Sequence, residues 1–262
     1  MQDNRTEAMV LSELSKKVRD VKGHTGFYYK NLLIGTEGGY GSDEAYLAAS
    51  VIKFPLFLYI LRLASEGKAD MSEHIKVTEA DKVPVCGALT LFTDEPSPDI
   101  RTLCRLMISL SDNTATNVLM KHFGIDNINA GFREMGLEKT HIERLLFDSE
   151  ASSHGKENYI CPREIGMLLE KLYKNEFINE EVCKEAIDTL LLQQINHKLD
   201  GKICGAVPIA HKTGEDDNLS NDVGIVYAKS PFIICFAGHD TDVYAWETVI
   251  REGAYDLLQA NS

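Results

Sequence analysis

Strand-like segments lie at the two ends of this chain and helical periodicity fills nearly everything between, and that arrangement restricts the fold more than any other feature. Phe27 to Gly35 is β-branched and aromatic enough for strands, with a tight turn expected at Lys30-Asn31. Ile203 to His211, Val223 to Ala228 and Phe232 to Ala237 read as strands near the other end. From about Ala48 to Gln194 the pattern is helical, with helices expected over Asp99 to Leu110, Asn113 to His122, Ile125 to Met135, Pro162 to Tyr173 and Asn179 to Leu192. Amphipathic helices are expected at Thr6 to Asp20 and at about Thr241 to Leu258. Strands need partners, so the two ends must share one sheet, the terminal helices covering it. The expected fold is therefore α+β: residues 1–45 and 200–262 form a sheet-plus-terminal-helices lobe, and residues 46–199 an inserted all-helical lobe, together one catalytic unit. The cleft between lobe and sheet is the natural place for a site.

Acidic residues outnumber basic ones 40 to 27, a net charge of −13, which argues against nucleic acid or an anionic membrane as the partner. No apolar run reaches the roughly 18–20 residues that span a bilayer. Met1-Gln2-Asp3-Asn4-Arg5 carries no signal-peptide pattern, so the sequence reads as cytosolic or already processed. The six cysteines lack C-x-x-C or Cys/His spacing, so neither a metal site nor a disulfide framework is expected; they read as small buried hydrophobes with free thiols.

Chemistry enters through three short motifs in fixed order: Ser50-Val51-Ile52-Lys53, Ser111-Asp112-Asn113 and Lys212-Thr213-Gly214. An S-x-x-K arises about once by chance in a chain of this size. Here there are three, but Ser65/Lys68 and Ser153/Lys156 sit in polar, glycine-broken surroundings, whereas Ser50 opens the apolar run Phe54 to Leu61 that a buried helix requires.

On a helix Ser50 and Lys53 share a face about 5–6 Å apart at Cβ. A serine hydroxyl needs a base beside it, and lysine serves when desolvation and a second cation, here Lys212, lower its pKa. Ser111 both donates and accepts, so it can relay a proton from Lys53 to a leaving nitrogen. Asn113 can donate to a substrate carbonyl, and Asp112 fits a helix cap. Lys212 and Thr213 would receive a substrate carboxylate. Gly214 leaves the strand open to a close neighbour, and the backbone N–H groups of Ser50 and Glu215 form a plausible oxyanion hole. His211, beside the third motif, is expected to pack or hydrogen-bond locally rather than act as a base.

The three motifs resemble those of class A β-lactamases and penicillin-binding proteins, and their flanks extend the likeness: Ala48-Ala49-Ser50-Val51-Ile52-Lys53, Leu106 through Asn117, His211 through Glu215, and Asn221-Asp222-Val223-Gly224-Ile225. The resemblance runs from about Gly26 to the final helix. It implies a five-stranded antiparallel sheet packed on a helical lobe, acylation of Ser50, no metal or organic cofactor, a small β-lactam or acyl-D-amino-acid-like substrate, a monomer, and an extracytoplasmic setting.

The departure concerns deacylation. Class A enzymes place a water-activating glutamate in an E-x-x-L-N loop. Here Glu143-Arg144-Leu145-Leu146 comes slightly early and Phe147 replaces the asparagine; Asp148 has better spacing on a shorter arm. Glu143 and Asp148 are thus the two candidates for that base. A disulfide known in some relatives is also missing one half: Cys104 fits one position, but Phe57 occupies the other. The leading expectation is a β-lactam-hydrolysing serine enzyme. The alternatives are a DD-peptidase- or esterase-like hydrolase, or a sensor that is acylated and stays so.

Overall fold

The computed structural model describes residues 6–262. The N-terminal pentapeptide, whose pattern bears on export, lies outside the described residues. Thr6 caps helix α1 (Glu7–Asp20), which leads into strands β1 (His24–Asn31) and β2 (Glu37–Tyr40). The expected turn at Lys30-Asn31 does not form. Both residues remain in β1, opposite Ile233 and Phe232 of the strand described below. The chain reverses after Asn31, whose side-chain oxygen accepts the Leu33 and Ile34 amides at 2.9 and 3.0 Å. An asparagine that supplies its own turn acceptors can end a strand one residue later than its sequence position indicates.

A two-residue strand β3 (Tyr46–Leu47) and a 3₁₀ turn (Ala49–Ile52) precede helix α2 (Lys53–Ser65). Every residue from Lys53 to Leu61 is buried, as a helix apolar on all sides requires. The lobe continues with α3 (Ile100–Ser109), α4 (Asn113–Phe123), α5 (Ile125–Glu134), α6 (Ser149–Ser153), strand β4 (Tyr159–Ile160), α7 (Pro162–Tyr173) and α8 (Glu180–Leu190). Strands β3 and β4 pair as a small separate ribbon, too short for alternation to reveal.

Three strands then complete the main sheet: β5 (Ile209–Asp216), β6 (Leu219–Val226) and β7 (Phe232–His239), followed by α9 (Val243–Ala260). The order is β2-β1-β7-β6-β5 with every pairing antiparallel, the expected five-stranded α+β architecture. The first of these three strands begins later than expected, at Ile209, because Cys204 and Gly205 adopt left-handed backbone in a preceding turn.

Alternation along β7 divides the core. Phe232, Ile234 and Phe236 pack with Val10, Leu14, Trp246 and Ile250 of the terminal helices, while Ile233, Cys235 and Ala237 pack with the helical lobe. The sheet is therefore buried on both faces, and β5 is left as the edge that meets the lobe. All six cysteines are free thiols; Cys104, Cys161, Cys183 and Cys235 are buried, but Cys86 and Cys204 are exposed, against expectation. Both exposed cysteines lie on loops in left-handed backbone, where no apolar periodicity holds them inward. Among the described residues no helix is long and apolar enough to cross a membrane.

Candidate active site

Three different elements deliver the motifs to one cavity of about 670 Å³. Ser50 lies in the 3₁₀ turn, directly after Ala49, which is forced to a φ of 40°. A non-glycine residue in that region stores strain, and here it presents the serine at the mouth of the cleft. Lys53, one helical turn on, is fully buried, and its Nζ donates to Ser50 Oγ at 2.9 Å. The same nitrogen reaches Ser111 Oγ at 3.0 Å, the Ser111 carbonyl at 2.8 Å and Asn113 Oδ1 at 2.7 Å.

Ser111 also has left-handed backbone, φ 53°, at the break between α3 and α4. Asp112 caps α4 through the Ala115 amide at 2.9 Å, and its other oxygen accepts the Ala88 and Leu89 amides at 2.7 and 2.9 Å. That carboxylate orients backbone. Asn113 spends one amide proton on the Val85 carbonyl at 2.7 Å, and the residue lines the cavity.

Lys212, on β5 and fully buried, donates to Ser111 Oγ at 3.1 Å and to the Thr213 carbonyl at 2.8 Å. Ser111 Oγ thus bridges the two lysines, and an unbroken chain of polar contacts runs Ser50–Lys53–Ser111–Lys212. Burial chiefly, and then the Lys212 cation, hold the Lys53 pKa well below that of a free lysine. Lys212 is lowered to about 7, again chiefly by burial and next by the Lys198 cation.

Thr213, Gly214 and Glu215 line the cavity. A methyl group built on Gly214 would stand 3.1 Å from the Ser50 amide nitrogen and 3.0 Å from the Ala48 carbonyl, so a side chain here would crowd β5 against the Ser50 turn. His211 turns away into the sheet, its ring between Asp222 Oδ1 at 2.9 Å and Asn196 Oδ1 at 3.1 Å, as expected for a packing residue.

The remaining wall is the loop between His141 and Tyr159, whose ends are joined by an antiparallel bridge. Asn158 binds the Glu143 and Arg144 amides, and Arg144 pairs with Glu157. The two carboxylates expected in this loop are placed differently. Glu143 is exposed, accepts the Glu157 amide at 3.1 Å, faces His141, and does not line the cavity. The chain turns there to satisfy Asn158, which aims the Glu143 side chain outward. Asp148 does line the cavity, but its carboxylate is occupied as the cap of α6, accepting the Ala151 amide at 2.9 Å.

Leu146 lines the cavity as well. Asn117 clamps it in both directions, accepting the Leu146 amide and donating to the Leu146 carbonyl, each at 2.9 Å. Sequence reading missed this clamp. The signal was an asparagine one helical turn after Asn113, on a helix face otherwise buried. Among the described residues no cluster of three or more His, Cys, Asp or Glu is arranged to hold a metal ion.

Fold and site together define a β-lactamase-like serine hydrolase. The model of the β-lactamase enzyme family matches residues 10–259, and the chain belongs to that family. A β-lactamase of Rhodobacter capsulatus is 29% identical, covering 97% of this chain and 88% of its own. Among solved structures, that of PBP-A superposes with a TM-score of 0.87 at 25% identity, covering 98% of this chain and 97% of that one. The β-lactamase of Sphaerobacter thermophilus superposes with a TM-score of 0.85 at 24% identity, covering 96% of each chain.

Proposed function

We propose that this enzyme is acylated at Ser50 by β-lactams and by acyl-D-amino-acid-like amides or esters, and that its acyl-enzyme is long-lived. The observation that carries this reading is the polar chain Ser50–Lys53–Ser111–Lys212, which supplies every proton transfer that acylation requires. Neutral Lys53 takes the Ser50 proton as Oγ bonds to the substrate carbonyl carbon. The N–H groups of Ser50 and Glu215 hold the oxyanion. As the carbon–nitrogen bond breaks, Lys53 returns the proton through Ser111 Oγ to the leaving nitrogen. Lys212 and Thr213 hold the substrate carboxylate, and the spare Asn113 proton meets the acyl amide.

Slow release is supported by the loop wall. Ester hydrolysis needs an activated water at the site, and Leu146, which lines the cavity with its backbone clamped by Asn117, offers hydrocarbon and no carboxylate. Glu157 lines the cavity but is committed to Arg144 at 2.6 Å and Ser152 at 2.6 Å. A PBP-A variant carrying a leucine-to-glutamate change has been solved as an acyl-enzyme complex with penicillin G, which supports acylation by a β-lactam rather than slow release. The second reading, an efficient β-lactamase, is favoured by the curated relatives bearing that name, and it would draw on Asp148 as base once freed from its cap. Stopped-flow nitrocefin kinetics separate the two. A burst of about one equivalent followed by a slow steady state supports the proposal, whereas linear fast turnover supports the second reading.

A further inference from the structure

Outside the three motifs, one more lysine is completely buried next to the site: Lys198, at 0% exposure. It does not line the cavity, so it does not touch substrate. Its Nζ donates to Glu215 Oε1 at 2.8 Å and to the Gly214 carbonyl oxygen at 3.3 Å. That carbonyl belongs to the same peptide unit as the Glu215 N–H. The chain contains no cis peptide among its described residues, so this N–H projects away from the carbonyl that Lys198 holds.

We propose that Lys198 is a positioning residue for the oxyanion hole, acting from behind through the Gly214–Glu215 peptide. The inference rests on the reading above, in which Glu215 N–H receives the oxyanion. A cation bonded to a carbonyl draws electron density along the peptide and makes its N–H a stronger donor, as hydrogen bonds in series polarise one another. Behind the peptide the ammonium also places positive charge in a poorly solvated region facing the developing oxyanion.

The segment is built to hold it there. Asn196 Oδ1 lies 3.1 Å from His211 Nε2, and the Leu199 amide donates to buried Asp222 Oδ2 at 3.0 Å. These two anchors flank Lys198 and fasten it beneath β5. An ion pair with Glu215 alone would have been satisfied from the surface, since Glu215 is about half exposed (47%). Burial of the ammonium under the strand is what brings it to the Gly214 oxygen.

The test is single-turnover acylation of the full chain by a carboxylate-bearing phenylacetylglycyl ester and its thionoester analogue, whose sulfur uses an oxyanion hole poorly. Losing an oxyanion donor outright costs about 10²–10³ in rate, so weakening one in Lys198→Met should cost about tenfold in the acylation rate constant for the oxygen ester. The thionoester rate should change by less than about twofold, substrate affinity should hold, and Lys198→Arg should recover most of the loss. Should Lys198→Met fold poorly, the Lys198→Met/Glu215→Gln double variant removes the pair without stranding a charge, and the same loss selective for the oxygen ester is expected. Equal losses on both esters, or none on either, would overturn the proposal and leave Lys198 a strand anchor. Absence of wild-type acylation at Ser50 would instead remove the functional reading and this inference with it.

Discussion

Lys53 Nζ meets two hydroxyls, a backbone carbonyl and an amide oxygen within 3.0 Å, at full burial. Such an environment accepts a cation's geometry while depressing its charge, the combination a base requires at neutral pH. Lys53→Met is expected to lower Ser50 acylation by about 10²–10⁴, the usual contribution of a general base, as read from the rate of covalent labelling. Lys53→Arg is expected not to restore it, because a guanidinium does not release its proton. Leu146 gives the complementary prediction. Leu146→Glu puts a carboxylate where the loop wall is now hydrocarbon, and the lifetime of the penicilloyl adduct, followed by mass spectrometry, should shorten while the acylation rate changes little.

The motif residues were legible because each carries its chemistry in its side chain, at spacings chance rarely produces. Lys198 was not. Between His197 and Leu199-Asp200-Gly201 it reads as a solvated loop lysine, and only the path of the chain beneath β5 buries it. Glu143 differs in the opposite sense: it fits E-x-x-L, but its amide donates to Asn158 Oδ1 and its side chain does not line the cavity.

At the scale of elements, the edge strand β5 and the nucleophile turn determine the site's shape. The apolar run before Lys212 disclosed a strand, but not that the strand continues through Asp216; the polar residues that follow His211 are kept extended by their ladder with β6, Thr213 opposite Asp222 and Glu215 opposite Ser220. Pattern reading sees hydrophobic alternation, and here the strand's functional half is polar. The terminal helices and the lobe helices α3, α4, α5, α7 and α8 were visible because each buries an amphipathic stripe. The ribbon of β3 and β4, four residues in all, has too little pattern to detect. The closeness of β5 to the turn gives a prediction at this scale. Gly214→Ala sets a methyl group 3.1 Å from the Ser50 amide nitrogen, and it should reduce acylation by about 10²–10³, the loss expected of an obstructed oxyanion donor, with far-ultraviolet circular dichroism unchanged.

Across the whole molecule, the site is assembled at a cost in stability. Burial lowers the Lys212 pKa from 10.5 to about 7, so between those values the unfolded chain binds a proton that the folded chain lacks. Stability therefore rises with pH across that window, and below about pH 7 the penalty of burying this lysine is fully present. Lys212→Met should accordingly be the more stable protein at neutral pH, by about 1–4 kcal/mol, with an advantage that shrinks as pH approaches 10.5. Chemical denaturation at several pH values checks both the sign and the window. The same arrangement of sheet, lobe and cleft explains why distant parts of the sequence had to be read together: the residues of the three motifs sit on a turn, a helix break and an edge strand that meet only in three dimensions.

Intact-protein mass spectrometry during incubation with benzylpenicillin, with Ser50→Ala as control, tests the central claim most directly. The account predicts one penicilloyl adduct per chain that maps to Ser50, persists long after excess drug is removed, and is absent from the variant. Labelling that survives in Ser50→Ala, or complete drug hydrolysis with no adduct accumulating, would contradict it.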